Sequence, residues 1–307
     1  MKPVVARSAL GAAAAVVATA GAVALALHDG GDDAPPRAPS PPFVASVRGE
    51  RAVLWAVGDG ADGAAAGRAV AARIAGGRAD RLLYLGDVYG AGRRPDGTAA
   101  DYRDHYDPLY GGLAARTAPT PGNHEWPQRA RGYDPYWKKV HGRAPAYYAF
   151  SAGGWRVISL NSQAPHGAGS AQLGWLRGEL RRRGTCRLAF WHRPRFSAGP
   201  HGDQPDVAPL WGALRGRAVL VVSGHDHDMQ RLRPMDGITQ LVSGAGGHGH
   251  YAVRTADRRV AFSNDRVYGA LRIGLRAGGA SLAFVSAGGR VLDRHRVACK
   301  PITAGSA

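Results

Sequence analysis

The sequence predicts a mixed α/β fold with a β-rich C-terminal part. Three observations favour this class: short apolar runs that end in turn residues, helical segments between them, and closely spaced strands from about residue 239 onward with no clear helix between them. The chain has 307 residues, of which 45% are hydrophobic and 21% charged. This ordinary globular composition excludes low-complexity, collagen-like and polytopic membrane proteins.

Each predicted element follows from a local pattern. Residues 64–74 are alanine-rich and compatible with a helix, and within residues 171–183 Leu173, Leu176 and Leu180 fall on one helix face. The apolar runs predict strands at residues 52–57, 82–85, 117–120, 155–160, 187–191, 218–222, 239–242, 269–275, 280–285 and 290–297.

The N-terminal segment is typical of an exported protein. Lys2 and Arg7 precede an uncharged apolar run that ends at residue 27, as in a secretory signal. Since the run is also long enough to span a bilayer, a cleaved signal peptide and an N-terminal membrane anchor both remain open for residues 1–27. Residues 28–49 form a proline-rich linker, and we expect one domain over residues 50–300, secreted or anchored outside the cytoplasm.

The net charge of +17 comes mostly from arginine. Of the 40 basic residues only Lys2, Lys138, Lys139 and Lys300 are lysines, and the arginines are spread along the chain. One interpretation is a solvated basic surface that reflects an arginine-rich composition. The other is attraction of anionic substrates or anionic surfaces. No helix-turn-helix or similar motif indicates a specific nucleic-acid partner.

The chain has two cysteines, Cys186 and Cys299, each at the edge of a predicted strand. An even number of cysteines in an exported chain permits a disulfide. Two separate thiols are the alternative.

Metal-capable side chains come directly after five predicted strands. Because ligands bind outside the carboxyl ends of strands in open α/β sheets, we expect these side chains to converge on one site. His227 lies two residues beyond His225 and would point to the same side on extended backbone. The strand-end residues are Asp59, Asp87, Asn123, His192 and His225.

Five short segments, in their order along the chain, resemble the motifs of the calcineurin-like metallophosphoesterase superfamily. Those motifs are D-x-H or D-x-G, GD, GNH-[DE], a lone His and GHxH. The likeness is strongest to the purple acid phosphatase-like branch and its exported bacterial relatives. The segments are residues 58–60 (GDG), 86–89 (GDVY), 122–125 (GNHE), 191–194 (WHRP) and 224–227 (GHDH).

The resemblance implies a four-layer α-β-β-α sandwich, with two mixed sheets flanked by helices. It implies an acid phosphatase-like metal-dependent hydrolase with two divalent or trivalent metal ions, Fe, Zn or Mn. Such an enzyme would hydrolyse small-molecule phosphate monoesters by attack of a metal-bound hydroxide. His124 would stabilise or protonate the leaving oxygen. Asp87 would bridge the two ions; the other ligands would be Asp59 and His227 for the first ion and Asn123, His192 and His225 for the second.

Two positions depart from the family pattern. Ala61 stands where many members have a histidine two residues after the first aspartate. In purple acid phosphatases a tyrosine three residues after the bridging aspartate binds ferric iron, whereas here Tyr89 comes two residues after Asp87. Tyr89 is therefore either a metal ligand displaced by a bulge or a packing aromatic.

Two further histidines, His201 and His248, lie in glycine-containing loops and are candidate substrate contacts. Surface loop positions are the alternative for both. At the level of function, a phosphodiesterase or nucleotide hydrolase on the same metals stays open, as does a non-catalytic metal-binding surface protein.

Overall fold

The computed structural model describes residues 42–90, 96–182 and 185–299. Contacts divide the chain into Met1–Ser40 and Pro41–Ala307, and every described residue belongs to the second unit. The predicted export segment and most of the predicted linker lie outside the described residues. Within the described part of the chain, no helix has the length and apolarity needed to cross a bilayer.

The strands alternate with short helices in the first two thirds of the domain. The helices are α1 (Ala65–Ala75), α2 (Ala99–Asp101), α3 (Asp107–Tyr110), α4 (Tyr133–His141), α5 (Ala171–Glu179) and α6 (Ala208–Leu214). The strands are β1 (Arg51–Val57), β2 (Arg81–Tyr84), β3 (Thr117–Pro119), β4 (Tyr148–Ala152), β5 (Trp155–Ser159), β6 (Cys186–Phe190), β7 (Leu220–Ser223), β8 (Met229–Leu232), β9 (Thr239–Ser243), β10 (Val260–Asn264), β11 (Gly269–Arg276), β12 (Gly279–Ser286) and β13 (Val291–Ala298).

The strands form two mixed sheets. The six-stranded sheet has the order β13-β12-β11-β1-β2-β3, and the seven-stranded sheet has the order β10-β8-β9-β7-β6-β5-β4. β1, β2 and β3 are parallel to one another, as are β5, β6, β7 and β9. The polypeptide therefore brings the carboxyl ends of several parallel strands to one edge of each sheet.

Two hydrophobic clusters hold the layers together. The larger one contains buried side chains from both sheets, among them Leu54, Ile273, Leu188 and Val222. The smaller one joins α5 and α6 to the seven-stranded sheet, mainly through Leu176 and Trp211. Two mixed sheets with helices against them confirm the fold class predicted from the sequence.

Some predicted boundaries need correction. The helix expected over residues 171–183 ends at Glu179. The carbonyl of Leu180 accepts hydrogen bonds from Arg187 and Arg217 instead of continuing the helix. Strands β4, β8 and β10 and helices α2, α3, α4 and α6 were not predicted. At the start of the domain, Phe43 and Val44 are already buried in the larger cluster, within the residues predicted as linker.

Cys186 and Cys299 form a disulfide, so the alternative of two separate thiols is wrong. Cys186 begins β6 of the seven-stranded sheet, and Cys299 follows β13 of the six-stranded sheet. The two half-cystines are 113 residues apart in the chain. The bond therefore fastens one sheet to the other and closes a long loop.

Candidate metal centre

The predicted ligands lie in loops at the carboxyl ends of parallel strands, where the two sheets meet. In the six-stranded sheet, β1, β2 and β3 lead into Asp59, Asp87 and Asn123. In the seven-stranded sheet, β6 and β7 lead into His192 and His225. The structure brings these side chains into one site, and their roles as metal ligands stay predictions.

Three of these residues have left-handed backbone conformations. The φ angles are 61° at Asp59, 64° at Asp87 and 73° at His225, a region that costs a non-glycine residue roughly 1–3 kcal/mol. Hydrogen bonds across the site maintain them: the Asp59 amide donates to the Gly86 carbonyl (3.1 Å), and the His225 amide donates to Oδ2 of Asp59 (2.9 Å). The backbone of each loop is therefore tied to a neighbouring loop by hydrogen bonds within the protein.

Glycine at position 122 is required by the close approach of two loops. A Cβ there would overlap Oδ1 of Asp87 and lie 2.6 Å from its backbone nitrogen. We expect Gly122→Ala to displace Asp87, lower metal content measured by elemental analysis, and reduce the free energy of unfolding by about 1–3 kcal/mol. Gly112→Ala is the control, since a Cβ at Gly112 meets no atom within 4 Å. Equal metal content in the two variants would contradict the prediction.

His192 presents one ring nitrogen to the centre of the site. Its Nδ1 lies 2.8 Å from the carbonyl oxygen of Leu85; since a carbonyl only accepts, Nδ1 donates. Its Nε2 therefore faces Oδ1 of Asn123 (2.9 Å), Oδ2 of Asp87 (3.3 Å) and Nδ1 of His225 (3.2 Å). Acceptor atoms that converge in this way need a proton or a cation between them.

A second group of atoms surrounds the hydroxyl of Tyr89. This oxygen lies 3.0 Å from Nε2 of His227, 3.2 Å from Oδ2 of Asp87 and 3.4 Å from Oδ1 of Asp59. Nδ1 of His227 donates to the Gly249 carbonyl (2.8 Å), which turns Nε2 toward the tyrosine. One hydroxyl proton cannot serve three acceptors, so this group also suits a cation. Tyr89 is thus placed among the predicted ligands rather than in the core away from them.

Backbone pairing explains how Tyr89 reaches the site despite its shifted position. Ala61 and Val88 form an isolated parallel β-bridge, and the Tyr89 amide donates to the Ala61 carbonyl (2.9 Å). Ala61, which departs from the family pattern in the first motif, therefore fixes the backbone of Tyr89, which departs from it in the second.

Burial and neighbouring charges set the ionisation of these groups. Burial lowers the pKa of His225 to about 2 and that of His227 to about 4, so both rings are neutral near pH 7, the state that binds metals. Burial, reinforced by the Asp87 charge, raises the pKa of Asp59 well above its usual range. For Asp87, burial opposes ionisation, but its interactions with His192 and His124 hold its pKa below the usual range.

His124 is fixed at the edge of the site. Its Nδ1 lies 2.6 Å from Oδ2 of Asp96, and its Nε2 faces Asp87 at 3.9 Å from Oδ2. The amide of His124 also donates to Oδ1 of Asp87 (3.0 Å). Glu125 is buried and accepts hydrogen bonds from the amides of Asp87 (3.0 Å) and Val88 (3.4 Å), so it supports the backbone of the Asp87 loop.

The two candidate substrate histidines lie on opposite sides of the site. His201 packs against the His225 ring at 4.1 Å between centroids, and its Nδ1 is 2.9 Å from Oδ1 of Asp226. His248 stacks on Tyr89 at 4.1 Å, and its Nδ1 is 2.8 Å from Oδ2 of Asp62. Both side chains are about two-fifths exposed, so either ring can meet a molecule that enters from solvent.

The donor set fits divalent metal ions. Asp87, His192 and His225 are buried and place one ligand atom each within 4.8 Å of the others. Carboxylate, imidazole and amide oxygen are the donors that Fe, Zn and Mn accept in proteins. This group supports divalent metal binding, and the number and identity of the ions stay predictions.

Sequence reasoning missed two carboxylates that orient site histidines. The carboxylate of Asp96 lies within hydrogen-bond distance of Nδ1 of His124, and that of Asp62 lies within hydrogen-bond distance of Nδ1 of His248. Neither follows a predicted strand or belongs to a motif, so only the fold reveals them. Asp226, by contrast, lies between the two histidines of the GHDH motif and can bind an imidazole nitrogen of a neighbouring loop. It does so with His201.

Comparison with known proteins agrees with this architecture. A calcineurin-like phosphoesterase family model matches residues 54–229, more than half of the chain, and the chain belongs to that family. Its membership and the buried Asp/His group support a metal-dependent phosphoesterase hydrolase. None of the curated proteins is significantly similar in sequence.

Solved structures show the same fold at low sequence identity. GAP50, described as the anchor in the inner membrane complex of Plasmodium, is 16% identical with a TM-score of 0.66, over 81% of this chain and 89% of that chain. Purple acid phosphatase PPD1 from yellow lupin seeds is 16% identical with a TM-score of 0.64, over 82% of this chain. This chain spans only about half (54%) of PPD1.

Proposed function

We propose that this protein is an exported two-metal phosphoesterase that hydrolyses small phosphate monoesters. The observation that carries the proposal is the convergence of candidate ligands from both sheets around Asp87. Asp59, Tyr89 and His227 group on one side of it, and Asn123, His192 and His225 on the other. Asp87 lies in contact with both groups, as a bridging carboxylate must.

The residues around this centre account for binding and proton transfer. Two bound ions would supply a nucleophile from water and offset charge on the phosphate oxygens. His124 would protonate the leaving oxygen from Nε2, because Asp96 occupies its other nitrogen. His201, held by Asp226 and partly exposed, would hydrogen-bond a phosphate oxygen through its remaining ring nitrogen.

Export is supported by the disulfide. Disulfides persist in oxidising compartments and are rare in the reducing cytosol. The covalent link between Cys186 and Cys299 therefore agrees with an extracytoplasmic location, as predicted from the basic and apolar N-terminal segment.

The proposal is tested by metal analysis together with hydrolysis of chromogenic esters. We expect close to two metal ions per chain, with faster turnover of a monoester than of the matched diester. His225→Ala should lose both metal and turnover, whereas His295→Ala, on β13 away from the site, should keep both. Faster diester turnover would assign a phosphodiesterase, and bound metal without turnover would assign a metal-binding scaffold.

The role of Tyr89 has its own test. Tyr89→Phe removes the hydroxyl between Asp59, Asp87 and His227 but keeps the ring that stacks on His248. We expect affinity for one of the two ions to fall by about 10–100-fold, as for other groups that support a metal site, while the second ion is retained. Metal titration measures both sites. Tyr147→Phe, outside the site, is the control, and equal titrations of the two variants would show that Tyr89 is only a packing aromatic.

A further inference from the structure

The six-stranded sheet carries a group of arginines away from the metal centre, on the outward face of β1, β11, β12 and β13. The side chains of these strands alternate: Leu271, Ile273 and Leu275 point into the core, and the residues between them point outward. We call the outward feature the arginine trough. It comprises Arg51, Arg272, Arg276, Arg294 and Arg296.

The strand register gives the trough its shape. Arg272 on β11 is level with Ala283 on β12 and Arg294 on β13, and Gly274 is level with Ser281 and Arg296. β12 therefore forms a floor of small residues, with arginine walls on both sides about 10 Å apart, two strand spacings. Two surface cavities of about 370 and 470 Å³ lie over this face and share Arg272, Ser281 and Arg296.

The positive charge of the trough is unbalanced. None of its five arginines forms a salt bridge with any residue that the structure describes. The acid of β13, Asp293, points to the other side of the sheet and pairs with Arg231 at 2.7 Å. On an edge strand such as β13, prevention of aggregation is a sufficient explanation for charged side chains. That explanation does not cover Arg272 and Arg276, since β11 lies between β1 and β12.

We propose that the arginine trough binds a linear, base-free phosphate polymer such as inorganic polyphosphate. Guanidinium groups bind phosphate oxygens in pairs, and a floor without large side chains lets a chain of phosphates lie between the walls. Single-stranded nucleic acid would call for exposed aromatic side chains, but Trp55, the aromatic residue on this face, is only 3% exposed. A membrane surface would call for exposed bulky apolar side chains. The outward residues of β12 are Gly279, Ser281, Ala283 and Val285, and Val285 is only 7% exposed.

The trough is separate from the metal centre. Arg51 and Arg276 are paired at the start of β1, whereas Asp59 follows the end of that strand. Binding in the trough therefore does not depend on the proposed hydrolysis, and either proposal can fail alone.

The test is binding of fluorescently labelled polyphosphate to the full chain, in which any binding at the metal centre is common to the wild type and to both variants. The trough variant is Arg272→Gln/Arg294→Gln/Arg296→Gln. The control, Arg131→Gln/Arg181→Gln/Arg258→Gln, removes the same charge from exposed arginines elsewhere. We expect the trough variant to lose at least tenfold in affinity, and the slope of log affinity against log salt concentration to become shallower by about 2. The control variant should change little in either quantity.

Three results would overturn the proposal: no binding by the wild-type chain, equal losses in the two variants, or tighter trough-dependent binding of single-stranded DNA or anionic lipid vesicles. Thermal unfolding checks that both variants are folded. If the triple trough variant is unstable, Arg296→Gln against Arg258→Gln gives the same comparison with one substitution each.

Discussion

Asp87→Asn should reduce turnover of a chromogenic phosphate monoester by at least about a thousandfold. The carboxylate of Asp87 lies 3.3 Å from Nε2 of His192 and 3.2 Å from the Tyr89 hydroxyl, between the two groups of candidate ligands. Metal ions supply several kcal/mol of transition-state stabilisation, and each 1.36 kcal/mol is tenfold in rate. Asparagine tolerates the left-handed backbone at this position, so the loss should come from the missing charge.

The measurement is kcat/KM together with metal content and thermal unfolding. Asp104→Asn is the matched control, because Asp104 is an exposed residue that forms a salt bridge with its neighbour Arg103, away from the site. A folded Asp87→Asn protein that kept both its metal and its turnover would show that hydrolysis takes place elsewhere.

Loss of the disulfide should destabilise the domain by about 2–5 kcal/mol. The bond between Cys186 and Cys299 closes a loop with a sequence separation of 113 residues, and a long loop gains much of its stabilisation from restriction of the unfolded chain. It also ties β6 in one sheet to the end of β13 in the other. The Cys186→Ser/Cys299→Ser variant should therefore unfold at a lower denaturant concentration.

Reductant provides the internal control for this prediction. It should lower the stability of the wild-type chain to that of the double variant and leave the double variant unchanged. Coincident unfolding of the oxidised wild type and the double variant would show that the bond contributes nothing to stability.

The candidate site could be predicted because its signals are local. Each of the five strand-end ligands follows its strand by two to four residues, so strand prediction also predicts which side chains share an edge of a sheet. The carboxylates that orient the site histidines through the ring nitrogen facing away from the centre could not be predicted in this way. Asp96 reaches His124 from a loop 28 residues away, and no pattern in either segment requires the pair. The position of Tyr89 was undecided because it depends on backbone pairing with Ala61.

The missed elements of the fold have a related cause. Strand β8 contains Gln230 and Arg231, which break any apolar alternation. Gln230 is buried because Ser197 and Asp228 accept its side-chain hydrogen bonds, and Arg231 is paired with Asp293. These polar groups are acceptable in a strand only because other side chains satisfy them, and Ser197 and Asp293 lie far away in the sequence. A pattern of apolar residues along the chain cannot show such partners.

The metal-site loops hold one another in place across motif boundaries. The side chain of Asp59 accepts a hydrogen bond from the amide of His225, and the side chain of Asp87 accepts one from the amide of His124. The amide of Asp87 in turn donates a hydrogen bond to the side chain of Glu125. No loop of this centre is independent of the others. A single loop transplanted into another protein would therefore carry over its residues but not their arrangement. Substitutions in separate loops should have non-additive effects on the free energy of unfolding.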